Sequence, residues 1–151
     1  MLDNALGVVA LSGSGITAGV LLAVAISIVP ALRAVSPPLY VRMHQLLGRN
    51  WDPVMPLIVL TSAAASLTLG VIADESGTRA LFLCGAVLLV GVSGVSHLLN
   101  VPLNRQVKSL DPDAPLPADW RDPRAEWRRW HLLRTVLAIA AVLVNTTAAV
   151  M

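Results

Sequence analysis

Residues 5 to 32 carry no charged side chain, a run longer than the roughly 20 residues an α-helix needs to cross about 30 Å of hydrocarbon. Two further charge-free runs, 54 to 73 and 80 to 99, are separated only by Asp74-Glu75-Ser76-Gly77-Thr78-Arg79, a polar turn of hairpin length. Residues 131 to 151 form a fourth apolar run with one charge, Arg134. The pattern predicts four membrane-spanning helices, the second and third an antiparallel pair.

The segments between the runs are of two kinds. Pro30 lies near the end of the first span, and Pro37 and Pro38 stop any helix that continues past it. Residues 39 to 50 mix Leu39, Val41 and Leu46 with Arg42, His44 and Arg49, and read as a short interfacial helix or a prolongation of the first span. Residues 100 to 130 are rich in Pro, Asp and Arg and read as a loop, with Pro102 expected to end or kink the third span. The predicted architecture is all-α: one domain over residues 1–151, a four-helix transmembrane bundle with a short interfacial helix in its first long loop.

Composition agrees with lipid as the main solvent, since 56% of residues are hydrophobic and only 13% charged. One Phe and one Tyr beside four Trp argue for Leu-, Val- and Ala-rich helices rather than an aromatic-girdled barrel. The first apolar run is too long for a signal-peptide core and has no basic region before it, so it is expected to stay as the first span. Its Gly7, Gly13, Gly15 and Gly19, with Ser12, Ser14 and Thr17, form a small-residue surface suited to close helix packing and to self-association. The single cysteine, Cys84, excludes an intrachain disulfide and reads as a small packed thiol.

Charge adds an orientation. Of the eleven Lys and Arg residues only Arg79 falls on the side of the 74–79 turn, and the other ten lie in or beside the two long loops. The positive-inside rule then places the long loops in the cytoplasm and both termini outside, in a bacterial-type plasma membrane. Topology accounts for these cations, so nucleic acid is not an expected partner. The lipid bilayer is, together with a hydrophobic small molecule.

Polar side chains inside a membrane are costly, and here they gather near the cytoplasmic end. Ser93, His97 and Asn100 fall on one face of the third span. Asn104 would continue that face, were the helix not expected to stop at Pro102. Trp127, Trp130, His131 and Arg134 share the spacing i, i+3, i+4, i+7 at the start of the fourth span, an arc of about 100°. His44 and Arg42 reach the same level. Trp51 and Trp120 read as interfacial anchors, and Arg128 and Arg129 as headgroup and topology charges. Asn145, Thr146 and Thr147, near the other end, read as packing or capping residues.

These residues resemble the anthrone oxygenase-like family of small four-helix membrane proteins. The resemblance rests on Asn100-Val101-Pro102-Leu103-Asn104 after the third span, and on Trp127 with Trp130-His131-x-x-Arg134 opening the fourth. Gly19, Pro30 and the pair Pro53 and Pro56 also fit, and the likeness covers nearly the whole chain. It implies a membrane-embedded oxygenase acting on a hydrophobic aromatic or quinol-like substrate with O2 and no required cofactor. His97 or His131 would remove a proton from an activated C–H or phenol. Arg134, Asn100 and the indole N–H of Trp127 or Trp130 would stabilise the resulting enolate.

Two other readings of the same residues stand beside this one. Histidines on facing helices can ligate haem, which makes His97 and His131 candidate cofactor ligands, and His44, His97 and His131 candidate ligands of a transition metal. Alternatively, the polar cluster organises a non-catalytic membrane subunit or a small-molecule carrier.

Overall fold

The computed structural model describes residues 2–151, with side chains from residue 3 onward. Helix α1 is one rod made of an α-helix over Leu2–Ala23, a π-helical turn over Val24–Ile28 and an α-helix over Val29–Ala34. Helix α2 (Pro37–Leu47) follows, then α3 (Val54–Ile72). Helix α4 again has three parts, Ser76–Val95, a π-helical turn over Ser96–Asn100, and Val101–Lys108; α5 runs from Arg124 to Val150. No strand occurs among the described residues. Helices α1, α3, α4 and α5 are long and apolar enough to cross a membrane, which makes this an integral membrane protein.

Helix α4 therefore does not stop at Pro102, and the segment expected to be loop from residue 100 begins only after Lys108. Each π turn shows why. Pro30 and Pro102 have no N–H to give to the carbonyl four residues back, and each lies two residues after a π turn. There Val29 N–H bonds to Val24 O, and Val101 N–H to Ser96 O, a five-residue reach that widens the helix and lets the rod continue past the proline. No proline interrupts the junction between α1 and α2 in this way: Val35 and Ser36 are extended, and Pro37 opens a new helix from its first position.

The four long helices pack as a ring in the order α1, α3, α4, α5. Its interior is made of small residues: Ala18, Ala63, Ala138 and Ala141 around Leu21, Leu89 and Val92, and further along Ala10, Ala65 and Ala148 with Leu69 and Phe82. The buried hydroxyls of Ser14, Thr17, Ser62 and Thr135 are satisfied within their own helices, whereas those of Ser66 and Tyr40 have no hydrogen-bond partner among the described residues. Ser14 Oγ donates to Ala10 O at 2.6 Å, and Thr17 Oγ1 to Gly13 O at 2.8 Å. The predicted small-residue surface of α1 is divided between two faces. Gly13, Ser14 and Thr17 point inward, with Gly13 so close to Ser62 that a methyl group would displace it, whereas Gly7, Gly15 and Gly19 have no neighbour within 4 Å. Asn145 is buried as a packing residue against Gly85, with neither amide atom hydrogen-bonded.

The helices differ in length, and this shapes the site. The apolar rods of α1 and α4 run for 32 and 33 residues, while α3 has 19. At 1.5 Å per residue that is about 50 Å against about 28 Å. At the end where α3 begins, the ring lacks one wall, and α2 with the 48–53 segment covers the gap. Gln45 Nε2 holds α2 to the end of α4 by donating to Val107 O at 3.0 Å and Leu110 O at 2.8 Å. Arg124 Nη1 donates to Leu32 O at 3.1 Å and Val35 O at 2.8 Å, capping the last carbonyls of α1, and its guanidinium lies 5.1 Å from the Tyr40 ring centre. Asp122 pairs with Arg124, whose hydrogen bonds hold the carboxyl below the usual carboxylate range. An ion pair joins Arg42 to Asp113. Beneath these polar ties Leu32, Tyr40, Val41 and Val107 form a third apolar cluster. At the opposite end Glu75 caps α4, accepting from Gly77 N at 2.9 Å and Thr78 N at 2.5 Å.

Candidate active site

The missing wall leaves a cavity of about 180 Å³ enclosed by α1, α2, the first turns of α3, and the facing ends of α4 and α5. Val20, Leu21, Val24 and Ile28 of α1, with Met55 and Val59 of α3, make its apolar side. The polar side comes from α4 and α5: Ser93, Ser96, His97, Asn104, Trp127, His131 and Arg134. His44, Trp51, Asp52 and Lys108 also line it. Trp51 thus faces the cavity where an interfacial anchor was expected.

His131 is the most enclosed member of this set, fully buried on α5. Its Nε2–H donates to Leu21 O at 3.0 Å, because a carbonyl can only accept. That fixes the tautomer and leaves Nδ1 as an acceptor, which takes hydrogen bonds from Arg134 Nε at 3.2 Å and Nη2 at 2.9 Å. The third guanidinium contact is Nη1 to Ser96 Oγ at 3.2 Å. Arg134 is held at three nitrogens by neutral partners and forms no salt bridge among the described residues. Its head turns into the bundle and does not snorkel outward.

Trp127 stacks on His131, with ring centres 5.0 Å apart and planes 6° from parallel, and meets His44 edge-on at 5.7 Å. Its indole N–H donates to Asn104 Oδ1 at 2.8 Å, and the same oxygen lies 3.2 Å from His44 Nε2. Asn104 therefore joins α2, α4 and α5 through one carbonyl oxygen. Because that oxygen accepts, His44 carries its proton on Nε2, and Nδ1 has no hydrogen-bond partner among the described residues.

The remaining sequence candidates are placed less centrally. His97 lines the cavity but is exposed, and its ring has no hydrogen bond among the described residues. Asn100 does not share its face. The π turn rotates Asn100 into the packed interior, where Nδ2 donates to Trp127 O at 3.2 Å and Oδ1 has no partner. Trp130 lies outside the cavity lining, half-buried beneath Arg129 at 5.1 Å. Among the described residues no group of three or more His, Cys, Asp and Glu side chains is arranged to hold a metal ion. With both His131 nitrogens engaged, ligation of a metal or haem there would first require breaking its bond to Leu21 O or to Arg134. Asn104, part of the motif after the third span but not counted among the candidate site residues, reaches the cavity because α4 continues past Pro102.

Burial pushes the His44 imidazole below its usual value of 6.5, with Lys108 adding to the shift and the Asn104 hydrogen bond opposing it. A base whose folded pKa is depressed binds fewer protons folded than unfolded between the two values, so stability rises with pH across that window. The α2 packing is thus at full strength above about pH 6.5 and weakens as pH falls through the lower folded value. Melting temperature followed from pH 8 to pH 5 should fall, and His44→Gln should remove that part of the slope.

The profile of a family described as anthrone oxygenase matches residues 43–144, a stretch that contains every polar residue of the cavity from α2, α4 and α5. Among curated proteins and among solved structures, none matches.

Proposed function

From the chain's membership of the anthrone oxygenase family, we propose that it is a membrane-embedded oxygenase that oxidises an apolar aromatic substrate with molecular oxygen. Arg134 carries this reading. A guanidinium with no carboxylate partner among the described residues, fixed by His131 and Ser96 on the wall of an apolar cavity, is a costly arrangement unless an anion comes to it. The anion expected in this chemistry is the enolate or phenolate of the substrate.

The reaction balances without a cofactor. A base takes a proton from the acidic CH2 of an anthrone-type ring, and the electron pair moves onto the ring oxygen. Arg134 stabilises the developing charge as a preorganised donor in a water-poor site. The electron-rich enolate reduces O2 by one electron, and recombination of the two radicals forms a C–O bond at that carbon. Protonation and loss of one water leave a second carbonyl, so CH2 and O2 become C=O and H2O.

His131 has its lone pair occupied by Arg134, so it serves as a positioning residue for the guanidinium. The cavity volume exceeds the ~150 Å³ that accepts benzene in an apolar protein interior, so one ring fits inside and the rest of a polycycle extends into the opening. An apolar substrate would enter laterally from the lipid. By the positive-inside rule the roofed end, with residues 35–53 and 109–123, faces the cytoplasm.

Purified protein in lipid nanodiscs, given anthrone, should consume one O2 per anthraquinone formed, without added metal or flavin. Absence of protein-dependent oxygen uptake with both anthrone and a hydroquinone would overturn this reading.

A further inference from the structure

The cavity has a second polar pole that Arg134 does not use. Ser96, which holds Arg134, and Asn104, which holds His44, are eight residues apart on α4 and both line the cavity, so the two poles stand at different levels of it. On α5, Trp127 stands between the poles, with its face on His131 and its edge towards His44. A ring whose oxygen sits at Arg134 and which lies along the cavity has its far carbon at the level of His44.

On this placement, with both His131 nitrogens engaged and His44 Nδ1 without a partner among the described residues, and resting on the oxygenase reading above, we propose that His44 is the catalytic base of the reaction and Asn104 its positioning residue. His44 Nδ1 takes the proton from the para CH2, and the electron pair crosses the ring to the oxygen at Arg134. Nε2–H remains on Asn104 Oδ1, so the imidazolium formed keeps its hydrogen bond. Lys108 on α4 and Tyr40 on α2 lie beside the ring, and neither is an acceptor for the proton, one being a cation and the other a buried hydroxyl pushed up to about 12; the Asp52 carboxylate, which also lines the cavity, is exposed.

His97 is the competing histidine, and its position argues against it. It adjoins Ser96 in the chain, at the oxygen end of the cavity, and no side chain among the described residues hydrogen-bonds to its ring. Asn104 fixes the His44 tautomer, and burial keeps its ring neutral and able to accept.

The proton-transfer half of the reaction can be read without oxygen. Anthrone in D2O under argon should exchange its CH2 hydrogens faster with wild-type protein than in buffer. His44→Ala should lower the protein-dependent rate about a hundredfold or more, His97→Ala should lower it far less, and added imidazole should restore exchange to His44→Ala. Recovery by imidazole also shows that the variant is folded. Wild-type exchange rates in His44→Ala, or a larger loss in His97→Ala, would overturn the assignment while leaving the oxygenase reading intact. Oxygen uptake without any protein-dependent exchange would likewise remove His44 as base. Failure of both oxygen uptake and exchange in the wild type would overturn the oxygenase reading itself.

Discussion

Replacing Arg134 with Ala should reduce oxygen consumption about 100- to 1000-fold, the loss seen when one preorganised donor to an oxyanion is removed. The helices should remain folded, because Arg134 is bonded to a histidine nitrogen and a serine hydroxyl and contributes no salt bridge among the described residues. Arg134→Lys separates charge from geometry. A lysine keeps the cation but cannot reach His131 Nδ1 and Ser96 Oγ with a planar fork, so partial activity is expected. Circular dichroism and oxygen uptake on the same preparations check both parts. A lost helical signal in Arg134→Ala would make the residue structural, and unchanged uptake would remove it from the site.

Asn104→Leu should give the largest combined loss of stability and activity. One carbonyl oxygen accepts from the Trp127 indole and from His44 Nε2, and leucine leaves two half-buried or buried donors without a partner. At about 1–3 kcal/mol for each unmatched donor, the expected cost is about 3 kcal/mol, read as lower midpoints in thermal unfolding and a shifted Trp fluorescence maximum. Asn104→Asp keeps an acceptor at the same place and should recover much of the stability. Because Asp adds a charge beside His44, it should also raise the pH at which activity half-develops, a change that a purely structural residue would not cause. An unaltered pH profile in Asn104→Asp would dissociate Asn104 from the reacting histidine.

The spans were legible because charge-free runs longer than a bilayer is thick have almost no other reading. The short helix α2 is legible from the mix of apolar and basic residues over 39–50, although it begins earlier, with Pro37 at its first position. The cluster on α5 was half legible. Trp127, His131 and Arg134 do share an inward face, but Trp130, placed with them by spacing, lies at the edge of that arc under Arg129. On α4 the error was physical. From sequence Pro102 is expected to end or kink the helix, whereas the preceding π turn supplies the slack that lets the helix continue. Asn104 was lost with that reading, and Asn100 was assigned to a face it does not occupy because a 3.6-residue period was carried across a wider turn. The sequence places His44 at the level of the polar cluster and among candidate metal ligands, but nothing in the spacing within α2 shows that it meets an asparagine 60 positions away.

Each π turn adds, in effect, one residue to a helical turn, so the helix beyond it is out of phase with the helix before it. In α1 and α4 the shift falls where the tight ring gives way to the cavity. The same rod can therefore show a small-residue seam to its neighbours at one level and a different set of side chains at the next, without bending away. The bundle is partitioned by register and not by chain: one storey is closed and shared by all four rods, the other hollow. Changes of sequence in the hollow storey can then retune the chamber while the seam below keeps its own alignment.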